Sequence, residues 1–181
     1  LPLQFGDFAV WEEQWLQREV FPAQLEFWRR QLAGAPALIQ LPTDHPRPAV
    51  ASPRGDYVSV SLPVEKLLAL QTLSRQEGAT TFMTFLALSQ VLLWRYTGQT
   101  DIVIGTAAAG RDRPELQKLV GFFVNMLALR LEIDGQWSFR ELLRRVKAAA
   151  LETYANQDLP FERLVQELQP VRSAGYNPVF Q

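Results

Sequence analysis

The sequence predicts an α+β fold, an α/β sandwich in which helices pack against a sheet. Three observations carry this. Residues 126–133 place Leu127, Leu129, Leu131 and Ile133 on one face and Arg130 and Glu132 on the other. That period of two is expected of a strand with one buried face. Residues 101–106, DIVIGT, read as a short buried strand. Around them, stretches with apolar residues three and four apart give the order strand, helix, helix, strand, strand, helix, helix, preceded by a helical region.

At the N-terminus Phe8, Trp11 and Trp15 share one helical face, with Glu12, Glu13 and Gln14 between them directed to solvent. Pro22 breaks or restarts that helix, because it lacks an N–H and its ring crowds the preceding turn. Leu25, Trp28 and Leu32 repeat the spacing, and Gly34 with Pro36 ends it. Three tryptophans so close suggest an aromatic binding stripe, but at helical spacing they read as core. Residues 35–55 contain Pro36, Pro42, Pro46, Pro48 and Pro53 and cannot propagate a helix or a central strand, so they form an extended connector. The single histidine, His45, lies there. A histidine can serve as a general base, but between Asp44 and Pro46 this one reads as a surface or packing residue.

Residues 57–62 alternate again, with Val58, Val60 and Leu62 on one face, and predict a strand. Pro63 opens a helix carried by Val64, Leu67, Leu68 and Leu73 to Gly78. Thr80 or Thr81 caps the next helix, which is apolar nearly all round from Phe82 to Trp94 and is therefore expected at the centre of the core. Gly98 ends it. Residues 107–119 form a loop around Gly110-Arg111-Asp112-Arg113-Pro114. Arg111 is either a buried partner for a carboxylate or, as the local sequence favours, solvated. Gly105, Gly110 and Gly121 lack the spacing of a nucleotide-binding loop.

Gly121-Phe122-Phe123-Val124-Asn125 leads into the 126–133 strand. An amide within an apolar run must find hydrogen-bond partners or cost stability. Asn125 therefore either caps the start of the strand, which the local pattern favours, or faces a cleft. Ser138 and Glu141 form a capping box for a helix that buries Phe139, Leu142, Leu143, Val146 and Ala150 and ends near Tyr154. Asn156-Gln157-Asp158-Leu159-Pro160 connects it to a short helix with Phe161, Leu164, Val165 and Leu168 inward. Asp158 is placed to cap that helix, with Pro160 near its first position.

Composition excludes several classes of function. A net charge of −1 with scattered Lys and Arg leaves no footprint for nucleic acid or an anionic membrane. The lack of cysteine excludes disulfides and thiolate metal sites. No apolar run is long enough to span a bilayer, and no leader pattern opens the chain, so a cytoplasmic setting is expected. The 181 residues suit one domain or one large lobe. The opening at Leu1 and the strand-like close on Asn177-Pro178-Val179-Phe180-Gln181 suggest a piece of a longer polypeptide. Paired catalytic carboxylates, a Ser-His-Asp set and metal-ligand spacing are all missing. Residue chemistry alone declares no reaction.

Four stretches taken together say more. FGDFAVW (residues 5–11), VGFFVNMLALR (120–130), NQDLPFE (156–162) and RSAGYNPVFQ (172–181) occur in that order. They resemble four successive signature motifs of the condensation domains of nonribosomal peptide synthetases. LPTDHPRP (41–48) and DIVIGTAAAGR (101–111) resemble the intervening family sequence, so the likeness covers essentially the whole chain. It implies a chloramphenicol-acetyltransferase-like fold of two lobes, each a sheet with packed helices, meeting along a cleft. It also implies peptide-bond formation between two carrier-protein-bound aminoacyl or peptidyl thioesters. Residues 1–34 would be the helical end of the N-terminal lobe, 35–55 the connector, and 56–181 the C-terminal lobe, truncated at both ends. The implied partners are upstream and downstream peptidyl carrier proteins, an adjacent adenylation domain and the rest of the N-terminal lobe, with neither nucleic acid nor membrane. No cofactor or metal is expected to bind directly, since the substrates ride on the carriers' phosphopantetheine arms.

The family's catalytic HHxxxDG motif, whose second His positions or deprotonates the amine, has no match, because His45 stands in a Thr-Asp-His-Pro context. The resemblance places that motif ahead of residues 5–11. No catalytic residue is therefore assigned, and the isolated chain is expected to be inactive. Asn125 and Gln157 match substrate-tunnel positions. Arg111 matches an arginine expected to pair with the motif's Asp, a structural support, and Asp158 supports the site mainly as a cap. Phe5 stands where Tyr is usual and Met126 where Thr is common. Ser173 replaces the usual Asp after Arg172, which puts a local ion pair in doubt. FVN followed by LALR favours condensation. The alternatives are a non-catalytic condensation-like domain that recruits a partner protein, or an epimerisation or cyclisation variant.

Overall fold

The computed structural model describes residues 3–171 and 173–180, so the expected ends of the last motif, Arg172 and Gln181, lie outside the described residues. Helix α1, Phe5–Trp15, starts where the Asp7 carboxylate accepts the Gln4 N–H at 2.8 Å. It runs without a break through a wide π turn, Leu16–Val20, into α2, Phe21–Leu32. Pro22 explains the wide turn. Its missing N–H and its ring prevent a regular i→i−4 ladder, and the Phe21 N–H reaches back five residues to the Leu16 carbonyl.

No helix or strand occurs between α2 and α3, Val64–Gln76, as the prolines of the connector require. The connector is tied down at Gln99, whose side chain accepts from the Gln40 N–H and donates to the Leu38 carbonyl. The strand expected at 57–62 does not form. Tyr57, Val58 and Val60 are 97, 91 and 88 % exposed and belong to no strand. Alternation makes a segment competent to be a strand, but a neighbouring edge has to complete it. Among the described residues no strand lies beside it.

Helix α4, Thr81–Thr97, is capped as expected, with the Thr80 hydroxyl accepting the Met83 N–H and Gly98 closing the end in the left-handed region. Its all-round burial is not observed. Met83, Leu86, Ala87 and Gln90 are buried, whereas Phe82, Phe85, Leu92 and Tyr96 lie along an exposed stripe. Helix α4 thus has two apolar faces and only one is covered.

The sheet among the described residues is an antiparallel pair, β1 (Asp101–Ala108) with β2 (Asn125–Glu132), in a register that sets Val103 opposite Arg130 and Gly105 opposite Ala128. Ile102, Ile104 and Leu129 face α4 and α5, Phe139–Ala155, in the larger core, where Leu143 and Ala150 are fully buried. The expectation of a single buried face is corrected on the other side. Val103 and Ala128 pack on Leu25 and Trp28 of α2 and on Leu164 of α6, Phe161–Leu168. Each fully buried side chain of this size contributes roughly 1.5–3 kcal/mol. Arg130, expected on a solvent face, is enclosed instead. It binds Asp101 through both guanidinium branches at 2.6 and 2.9 Å and donates to the Gln31 and Ala33 carbonyls at the end of α2. The Asp101 hydrogen bond, above all, holds its pKa above the ordinary arginine value.

Ser138 caps α5, accepting the Glu141 N–H at 3.2 Å, while the Glu141 carboxylate, expected to complete a capping box, binds Arg145 instead. The end of α3 is tied to α5 by Glu77, which binds Arg140 and Arg144. The Arg140 hydrogen bond, then that of Arg144, keep the Glu77 carboxyl below its usual range.

Candidate functional site

A cleft of about 260 Å³ opens between α1, the loop before β2, the start of β2 and the segment linking α5 to α6. Each wall follows from a local sequence feature.

The loop wall begins at Gly110, whose φ of +63° and close approach to the Phe123 carbonyl leave no room for a Cβ. Arg111 then turns inward and donates to the carbonyls of Leu116, Leu119 (2.9 Å) and Gly121 (3.2 Å), with its guanidinium 4.1 Å from the Phe123 ring centroid. The solvated reading of Arg111 is therefore corrected. The loop has no ladder of its own, and one arginine supplies three of its carbonyls with donors.

Asn125 stands where the loop becomes β2. Its Nδ2 donates to the carbonyls of Gln157 (2.8 Å) and Leu159 (2.9 Å), and its Oδ1 accepts the Phe161 N–H (2.9 Å). A flipped amide would set like against like, so the network fixes its orientation. Asn125 consequently does the capping that the sequence assigns to Asp158. Helix α6 has no capping bond from Asp158, and its first N–H goes to a side chain from another element. The Asp158 carboxylate accepts instead from Gln24 Nε2 at 2.8 Å. Gln157 reaches across the cleft and donates to Asp112 at 3.1 Å. Asn125, Gln157 and Asp158 thus line one cleft, while Arg111 sits behind its wall and braces it.

Three features of the site were not expected. Trp28 is core, at 1 % exposure, but Trp11 and Trp15 are not. Four residues apart on α1, these two rings stack on each other with centroids 5.2 Å apart, and Arg113 lies 4.3 Å over Trp11. Glu12, expected in solvent, faces the cleft. Burial, then Asp158 and then Glu13 push its pKa up. Gln24 is buried beneath the cleft and binds Asp158 and Leu159. The signal for Gln24 was present in the sequence: it precedes Trp28 by four residues and Leu32 by eight, a polar residue on an apolar helical face.

Among the described residues no group of three His, Cys, Asp or Glu side chains is disposed to hold a metal ion, and no helix is long and apolar enough to cross a membrane. His45, the one histidine, is exposed in the connector, far in sequence from every residue of the cleft. The cleft can orient and enclose a substrate through amides, carboxylates and aromatic faces.

The Condensation domain family model matches residues 1–181. The chain is 54 % identical, over all of its length, to one component of the linear gramicidin synthase of Brevibacillus parabrevis, of which it spans 2 %. Against phosphinothricin tripeptide synthetase PhsC of Streptomyces viridochromogenes the identity is 46 %, over 17 % of that protein. Among solved structures, the complex of the X-domain and OxyB from teicoplanin biosynthesis matches with a TM-score of 0.92 and 33 % identity, over 99 % of this chain and 40 % of the other. The match over the full length, the identity to peptide synthetases and the likeness in fold agree. The chain belongs to the Condensation domain family and has its chloramphenicol-acetyltransferase-like fold.

Proposed function

We propose that this chain is part of a condensation domain that forms a peptide bond between two carrier-bound thioesters. The observation that carries this reading is the convergence of Asn125, Gln157 and Asp158, distant in sequence, on one cleft whose loop is braced by Arg111. In the reaction the amine of the downstream aminoacyl group attacks the upstream thioester carbonyl, the C–S bond breaks, and the pantetheine sulfur leaves with the proton lost by the amine. Proximity supplies much of such a step, because a held amine and thioester react as if intramolecular. Asn125 and Gln157 shape the tunnel, and Asp158 and Arg111 hold its wall. Residues 1–34 close the N-terminal lobe and 56–181 form the C-terminal lobe. The base that takes the amine proton belongs to the HHxxxDG motif, and Arg111 pairs with that motif's Asp as a structural support. The partners are two peptidyl carrier proteins with phosphopantetheine arms and an adenylation domain, in the cytoplasm.

The test is a single-turnover assay of the synthetase module carrying this chain, with both carriers loaded, following the dipeptidyl carrier product by mass spectrometry. Product from the module and none from the 181-residue chain alone is expected. Product from the chain alone would refute the assignment of the base.

A recruiting role is the second reading, favoured by the likeness to the X-domain solved with OxyB. It predicts a module that makes no dipeptide yet retains a partner enzyme on a sizing column.

A further inference from the structure

We propose that Gln24 is a positioning residue for the proposed condensation, setting the 156–160 segment and with it the two cleft side chains Gln157 and Asp158. The inference rests on the functional reading above and adds a residue from α2 that does not line the cleft.

Gln24 is 7 % exposed and spends both ends of its amide on one target. Oε1 accepts the buried Leu159 N–H at 2.9 Å, and Nε2 donates to Asp158 Oδ2 at 2.8 Å. One turn further along α2, Trp28 Nε1 donates to the Asn156 carbonyl at 2.9 Å. The two side chains, four residues apart and so on one helical face, grip the segment on either side of Gln157. Asn125 holds the same segment from β2 through the Gln157 and Leu159 carbonyls. Two elements therefore fix it, and of these side chains only Gln24 binds the Asp158 carboxylate.

That carboxylate needs a donor. Glu12 lies across the cleft and feels the Asp158 charge. Without Gln24 Nε2 the two acidic groups would repel each other unopposed at this point, and the Leu159 N–H would be buried without an acceptor. The segment would shift, and Gln157 would lose its aim at Asp112. A leucine at position 24 preserves the volume and removes both bonds. A glutamate there keeps an acceptor for Leu159 but sets a carboxylate against Asp158.

The experiment measures condensation by the whole module for Gln24→Leu, Gln24→Glu, Asp158→Asn and the double variant Gln24→Glu/Asp158→Asn, with melting temperatures alongside. In the double variant the carboxylate introduced at position 24 accepts from both the Leu159 N–H and the amide introduced at position 158, so the grip is rebuilt with its polarity reversed. Gln24→Leu and Gln24→Glu are expected to lower kcat at least tenfold, with KM for the loaded carriers within twofold. Adding Gln24→Glu to Asp158→Asn is expected to cost less than threefold. An equal penalty for Gln24→Glu in both backgrounds, an unchanged kcat in Gln24→Leu, or a loss that follows the melting temperature alone would overturn the proposal. A wild-type module that makes no dipeptide overturns the functional reading and this inference with it. A working wild type with indifferent Gln24 variants overturns the inference alone.

Discussion

At the scale of the residue, four partly or wholly enclosed polar side chains hold backbone at loops and element ends. Arg111, Asn125, Gln24 and Arg130 each satisfy at least two partners. Losing any one would strand buried partners at about 1–3 kcal/mol each. Glu12 differs, since its burial and the nearby Asp158 and Glu13 charges raise its pKa. The sign of its effect on stability follows. A carboxyl whose pKa is higher folded than unfolded favours the fold at low pH and loses that contribution as pH rises from its ordinary value of 4.5 through the folded one. Glu12→Gln should therefore raise the urea midpoint of the domain at pH 7.5 and leave it nearly unchanged at pH 4, flattening the profile. A wild-type midpoint that climbs from pH 4.5 to 7.5, with a parallel curve for the variant, would contradict this. The need of Asn125 for partners was legible in the sequence, because an amide in an apolar run demands them. Which partners was not, since Gln157, Leu159 and Phe161 lie more than thirty residues on. Asp158 illustrates the converse, a residue well placed by local rules to cap α6 whose role a distant side chain takes over.

At the scale of the element, local signals were read well where the chemistry is local. Thr80 and Ser138 cap α4 and α5, Gly98 ends α4, and the 126–133 pattern is a strand. The loop between β1 and β2 is where element geometry is most exacting. At Gly110 the left-handed φ and the nearby Phe123 carbonyl both exclude a side chain, and backbone oxygen cannot step aside. At Gly105 φ is not left-handed, and the nearest atoms an added Cβ would meet belong to the Phe180 ring, a side chain rather than backbone. Gly110→Ala should thus lower the melting temperature by more than Gly105→Ala. The left-handed conformation alone costs an alanine roughly 1–2 kcal/mol, and the overlap with Phe123 adds to it. Equal shifts for the two variants, read by differential scanning calorimetry, would show that the approach at Gly110 is not rigid.

At the scale of the molecule, the 57–62 segment and the outer stripe of α4 stand open as apolar surfaces among the described residues. The sequence patterns place both inside, because alternation and an all-round apolar helix record what a segment is able to bury. Neither pattern records whether a neighbour is there to bury it. Exposed alternating apolar strands with unpaired backbone invite edge-to-edge association. The 181-residue chain expressed alone should accordingly aggregate. Val58→Lys with Val60→Thr should increase the monodisperse fraction on light scattering without lowering the melting temperature, because both side chains are about nine-tenths exposed. A drop in melting temperature would mean that the two valines are buried in solution.

The wide turn at Leu16–Val20 makes the spacing between α1 and α2 a matter of angle as well as length. Because Pro22 keeps this turn wide, deleting one residue there would draw the last residue of α1 into it and swing the rest of α1 about its axis by about 100° relative to α2. Trp11 and Glu12 would leave the cleft together, while helix content and every contact of α2 persisted. A change of one residue in the length of this hinge would be silent in secondary structure and decisive for the cleft. Homologous chains can thus trade side chains in this region more freely than they can gain or lose a position.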